Sequence, residues 1–167
     1  MIAAKARMNE ALIFRHFPTK RHLYSAIIQR KIAEDPILAE VGTAQMADED
    51  DEAVLRLLAA RVLDTVKSDP NFVRLLYFSG LEGHELSTMF FDCYARRVNE
   101  FLAARIKRGI ARGRFRKVNA TLAARAFIGM LGHYALTSEV FGRAERNVTD
   151  AKIIDAFVAI FLRGICA

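Results

Sequence analysis

The sequence predicts an all-α protein in two parts, a short helical head over 1–31 and a larger helical body over 32–167. Three observations carry that prediction. Apolar residues recur at three- and four-residue spacing through most segments, the period of a helix that buries one face. Only 3 Pro and 9 Gly occur in 167 residues, and several of them fall where the periodic segments start or stop. A hydrophobic share of 53% is enough for a well-buried core and too high for a disordered chain.

Taken in order, residues 2–7 suit a short helix, Arg7-Met8 a turn, and Asn9 the N-cap of the next helix, where its side chain accepts from an orphan backbone N–H. Pro18-Thr19 breaks that helix, and Thr19 caps a longer one running to about Ile32, with Leu23, Ala26, Ile27 and Arg30 along one side. Met46 to Glu52 is polar and acidic. It reads as a loop or solvated helix start whose carboxylates favour the positive end of the helix after it. That helix spans 52–68, with Val54, Leu57, Leu58, Arg61, Val62 and Val66 at helical spacing. Asp69-Pro70 marks another start, Asp as cap and Pro at the first helical position, and this helix ends near Gly80 to Gly83. Ser87 opens a long helix through Phe90, Tyr94, Val98, Phe101 and Leu102 to about Arg112, where Arg112-Gly113-Arg114-Phe115 stops it. Asn119 caps a helix reaching Phe141, and a last helix runs from Thr149 to about Arg163.

The two closing helices are apolar around most of their circumference, and a helix apolar on both faces has to be covered on both. A second copy of the same pair covers them most simply, as a two-fold four-helix interface. A homodimer is therefore expected, with Phe127, Leu131, Ile154, Phe157, Val158 and Phe161 as candidate interface residues. The alternative is a central helix pair in a monomeric bundle.

The net charge of +6 is not spread evenly. Residues 1–31 carry seven basic residues (Lys5, Arg7, Arg15, Lys20, Arg21, Arg30, Lys31) against Glu10 alone, and the rest of the chain is balanced. Phosphate attraction supplies most sequence-independent DNA affinity, so this asymmetry suits a nucleic-acid end. The same segment holds the run Leu12-Ile13-Phe14-Arg15-His16-Phe17-Pro18-Thr19-Lys20, with Leu23 three residues on. An aliphatic residue, an aromatic, any residue, His or Tyr, Phe, any residue, a small polar residue and Lys make up the recognition-helix pattern that this run resembles, that of TetR/AcrR-type transcriptional regulators.

The resemblance implies a helix-turn-helix head on double-stranded operator DNA and an all-helical body that binds a small hydrophobic effector and dimerises through its last two helices. Repression, relieved by the effector, is the family default. A recognition helix lays its N-terminal residues against base edges, which places Asn9, Glu10, Ala11 and Arg15 there. Arg15 suits guanine and Glu10 a cytosine amino group. His16, Thr19 and Lys20 match positions that grip phosphate. Phe14 stands where the family most often has Tyr, and the missing hydroxyl forgoes one hydrogen bond worth on the order of 1 kcal/mol. The family's heads begin with a further helix before the pair matching Ile2-Ala3, so the head is expected to be incomplete at its N-terminus. A start assigned too far downstream, a fragment of a longer protein, and a shortened protein that serves as a ligand sensor or dimerisation partner all fit.

Phe72, Tyr77, Phe78, Phe90, Phe91, Tyr94, Met130, His133 and Tyr134 are the candidate effector-pocket residues, since apolar pockets with a few polar anchors suit small hydrophobic molecules. The basic cluster Lys107, Arg108, Arg112, Arg114, Arg116 and Lys117 reads as a solvated helix end complementing the helix dipole, with a partner patch as the alternative. An enzyme is not expected. His16, His22, His84 and His133 lack metal-ligand spacing, no nucleophile elbow or phosphate loop occurs, and His84-Glu85 is too slight a pairing to name a reaction. No metal or cofactor is expected. The longest uncharged apolar run, Ala126 to Leu136, is too short to span a bilayer. Cys93 and Cys166 suit inert thiols, and with no export signal the expected location is the cytoplasm.

Overall fold

The computed structural model describes residues 15–34, 50–145 and 147–166, and these are built of helices. They are α1 (Lys20–Glu34), α2 (Asp51–Ser68), α3 (Pro70–Leu81), α4 (Glu85–Phe90), α5 (Arg96–Ala111), α6 (Ala120–Ala135) and α7 (Asp150–Ile165). A π turn, Phe91–Ala95, joins α4 to α5 without a break, and another, Leu136–Val140, extends α6. Among the described residues the one β feature is an isolated antiparallel bridge between Phe115 and Cys166.

The helix boundaries follow local chemistry. Asp69 accepts from the Phe72 N–H at 3.0 Å with Pro70 in the first turn, Asn119 accepts from Leu122 at 3.1 Å, and Thr149 accepts from Lys152 at 3.4 Å. Each satisfies an orphan donor of the turn it opens. The long helix starts at Glu85 rather than Ser87, because Ser87 is already in the first turn and its hydroxyl is turned back to the His84 carbonyl at 3.1 Å. The helix opened by Asn119 leaves α geometry at Ala135 and continues to Val140 as a π turn, with the Phe141 N–H donating to the Leu136 carbonyl five residues back.

The core lies between α2, α5, α6 and α7, where Leu58, Leu102, Phe127, Leu131 and Val158 are enclosed and the Phe127 and Phe161 rings meet at 4.9 Å. Four of the six candidate interface residues, Phe127, Leu131, Val158 and Phe161, are therefore buried by their own chain. A side chain with no surface has none to offer a partner. Ile154 and Phe157 are partly buried against the same core. The apolar surface left on this helix pair is carried by Leu122 and Ile160, exposed by 61% and 60%.

Asp51 departs from the acidic loop or solvated start expected around it. It is the first residue of α2, it is buried, and its carboxylate meets Arg105 Nε of α5 at 2.7 Å and Arg114 Nη2 at 3.1 Å. Arg114 thus gains a buried partner while, like Lys107, Arg108, Arg112, Arg116 and Lys117, it stays exposed. Nearby, Phe115 folds back onto Gly109 of α5. Its ring lies so close that a Cβ at Gly109 would stand 2.2 Å from Phe115 Cδ2. The Arg116 N–H donates to the Ile165 carbonyl at 2.8 Å, tying this corner to the end of α7.

Candidate functional site

Helix α1 begins at the end of the predicted head. Thr19 caps it, accepting from the His22 N–H at 3.3 Å, and Arg15, His16, Thr19 and Lys20 are all exposed there, with Arg15 and His16 in helical conformation. The other candidate DNA contacts, Asn9, Glu10, Ala11 and Phe14, lie outside the described residues. The buried residue of α1 is Ile28, while Leu23, Ala26 and Ile27 are only partly covered.

Two points tie α1 to the body. Arg21 pairs with Glu85 at the start of α4 at 3.4 Å, an exposed contact worth little by itself. Lys31 pairs with Asp69 at 2.7 Å and stands 5.3 Å from the centroid of the Phe72 ring. Burial alone would raise the Asp69 carboxyl. The Lys31 ammonium and the N–H groups of Phe72 and Asn71 outweigh it and hold the carboxyl below its ordinary value. One cation thus grips the cap of α3 and one of its aromatic rings together.

Phe72 also lines a cavity of about 360 Å³, within the size range of small-molecule sites, ~300–1,000 Å³. Helix α2 contributes Val62, Thr65 and Val66, and α3 contributes Phe72, Val73, Leu76, Tyr77, Gly80 and Leu81. Ser87, Phe90, Phe91, Tyr94, Ala95, Val98 and Asn99 come from α4, the π turn and α5, and Ile128 and Gly132 from α6. Among the described residues, no charged side chain lines it. The rings form a wall, with Phe90 stacked on Tyr94 at 5.1 Å and meeting Phe72 edge-on at 5.8 Å. Partial burial raises the Tyr77 phenol above its ordinary value. The π turn forms part of this wall, in keeping with the frequency of such turns at functional sites.

The cavity gathers five of the predicted pocket residues, Phe72, Tyr77, Phe90, Phe91 and Tyr94. Phe78, Met130, His133 and Tyr134 lie outside it. Phe78 is on the outer side of α3, its ring 6.4 Å from that of His84. Helix α6 faces the cavity through Ile128 and Gly132, four residues apart, so its intervening and following residues point elsewhere. Met130 and Tyr134 pack against the core, Tyr134 edge-on to Phe157 at 5.8 Å, and His133 is exposed. Val62 and Val66 belonged to a legible apolar stripe. Asn99 gave no sequence signal at all.

Among the described residues, no group of three or more His, Cys, Asp or Glu is placed to hold a metal, and no helix is long and apolar enough to cross a membrane.

Comparison with known proteins places this arrangement. The family model described as "AefR-like transcriptional repressor, C-terminal domain" matches residues 53–164. Nucleoid occlusion factor SlmA of Citrobacter koseri is 28% identical over 75 residues, which are 45% of this chain and 37% of that protein. SlmA of Klebsiella pneumoniae matches to the same extent. The match thus spans little more than a third of the length of these curated relatives. Among solved structures, a TetR family transcriptional regulator from Chloroflexus aurantiacus superimposes with a TM-score of 0.71 at 18% identity, covering 99% of this chain and 82% of its own. A putative TetR-family regulator from Mesorhizobium loti does so with a TM-score of 0.70 at 20% identity, covering 99% and 85%.

Proposed function

The chain belongs to the TetR family of transcriptional regulators, through a C-terminal domain of the AefR-like type, and from that premise we propose that it is a dimeric DNA-binding repressor released from its operator by a small apolar molecule. The family is regulatory, and the chain is accordingly not an enzyme. The observation that carries the proposal is that the helices walling the cavity also touch the head helix. Phe72 faces the cavity and lies beside Lys31 of α1, and α4, which brings Phe90 and Ser87 to the cavity, packs along α1. A ligand that spreads α3 and α4 moves α1. Thr19 and Lys20 at its start move with it, changing the separation of two heads that must fit half-sites about one helical turn apart. A cytoplasmic location goes with this role.

The direct test is a fluorescence-anisotropy titration against the promoter DNA upstream of the protein's own gene, across a salt series and with a second sample carrying the codons before Met1. Tight binding that weakens steeply with salt is expected, and Lys20→Ala should weaken it on all sequences while lowering the salt slope by about one. If both folded samples bind this promoter no better than random DNA, autoregulation there is lost and a ligand sensor or dimerisation partner becomes the better account.

The dimer is proposed to form across α6 and α7, through the face that carries Leu122 and Ile160 between the exposed Ala126, Gly129 and Ala156. Small residues around two large exposed ones allow close approach of a second helix pair. Ile160→Glu should convert the protein to a folded monomer in sedimentation velocity. A wild type that sediments as a monomer, or a variant that stays dimeric, would remove this face from the interface.

A further inference from the structure

We infer that the cavity takes a single-chain amphiphile, an alkyl chain running inward from a mouth at Tyr77, Leu81 and Phe91 with its polar end left there in water. This rests on the cavity being the effector site and adds the class of molecule that the site accepts.

The lining is graded from core to surface. Phe72, Val73 and Val98 are buried, Ile128 and Gly132 on the core helix α6 are half-buried, and Tyr77, Leu81 and Phe91 are exposed, Leu81 by 87% and Phe91 by 64%. Residues that line a cavity and are this exposed stand at its mouth. Large apolar side chains grouped in this way on a surface mark a place that a ligand or partner covers. A compact molecule held among the inner residues would leave Leu81 and Phe91 bare. A chain that starts at the mouth covers them and reaches the inner end as well.

The polarity of the wall orients the chain. Among the described residues no charged side chain lines the cavity, the Ser87 hydroxyl donates to the His84 carbonyl at 3.1 Å, and the Asn99 amide donates to the Ala95 carbonyl at 2.8 Å. An ionic or strongly hydrated group carried inward would lose its water with nothing to replace it. Left at the mouth it keeps that water, and its charge matters little. The inner end has room for the chain, since a Cβ added to Gly132 would meet nothing within 4 Å beyond its own helix turn. A side chain at that position would shorten the space from within.

Isothermal titration calorimetry with 1-octanol, 1-decanol and decanoate, each below its micelle-forming concentration, tests the orientation and the length together. In the wild type decanol should bind about fifteenfold more tightly than octanol, the effect of two further buried methylenes, and decanoate should bind within about tenfold of decanol. In Gly132→Leu octanol should keep its affinity while decanol loses its advantage. Leu81→Ser combined with Phe91→Ser, both at exposed positions, should weaken the two alcohols alike by about tenfold, since each chain passes the mouth. Decanoate weaker than decanol by more than tenfold would put the polar end inside and overturn the inference. Octanol and decanol of equal affinity in the wild type, an undiminished decanol advantage in Gly132→Leu, or no effect of the double substitution at the mouth would overturn it too, and would leave the cavity standing as an apolar site. No binding of any of the three to the wild type overturns the cavity as the effector site. If Gly132→Leu does not fold, the wild type and the variant at the mouth decide alone.

Discussion

Gly109→Ala is expected to destabilise the protein by roughly 3 kcal/mol and to lower its Tm by about 10 °C, a larger effect than most surface or cap substitutions. The added methyl would lie 2.2 Å from Phe115 Cδ2 and 2.5 Å from Cε2, inside the ring rather than against it. Helix α5 cannot shift away, since its other faces pack in the core through Leu102 and Ile106. The ring has to leave, and it takes with it the buried contact that closes the corner between α5 and the end of α7. Thermal melts followed by circular dichroism at fixed protein concentration measure the loss. A double-mutant cycle tests its cause, for once Phe115→Ala has removed the ring, Gly109→Ala should cost little more or even help, as Ala usually does in a helix. A Gly109→Ala variant as stable as the wild type would show that the ring does not press on the helix.

Arg105→Leu should cost about 3 kcal/mol in urea unfolding, the low end for breaking a buried ion pair. It strands the Asp51 carboxylate, whose side chain is only 10% exposed. Arg114 remains as a partner, but at 45% exposure it lies in a more polar setting and compensates only in part. Removing both buried charges, with Asp51→Ala added to Arg105→Leu, should cost less than Arg105→Leu alone, because the expense lies in the orphaned charge more than in the lost attraction. If the double variant is the less stable of the two, the pair itself is what stabilises this corner.

Much of the fold was legible because its signals are local. Asp69-Pro70, Asn119 and Thr149 open helices through bonds to residues three positions on, and such caps need no tertiary information. The apolar stripe of α2 was visible for the same reason. Where the chain is apolar all round, periodicity loses its phase. Nothing in the sequence of α6 says that Phe127 and Leu131 face inward while Leu122 faces out, and the rest of the fold decides it. The Asp51–Arg105 pair joins residues 54 positions apart, beyond any local pattern. In the cavity the aromatic residues announced themselves by type, but Asn99 did not. Asn99 acquires its meaning from a carbonyl and a void that only the folded chain brings together.

The π turn between α4 and α5 bears on how such a cavity diversifies. A π turn is an α-helix that has taken in one extra residue, and each residue turns an α-helix by about 100°. Losing one residue from Phe91–Ala95 would regularise the helix, and because Leu102 and Ile106 hold α5 in the core, the turn of about that angle would fall on α4. Ser87 and Phe90 would leave the cavity, and their neighbours on α4 would enter without any substitution. Related proteins that differ here by a single insertion or deletion should therefore diverge in the lining of this cavity more abruptly than those that differ by several substitutions. An alignment gap within this segment would then mark a reshaped cavity.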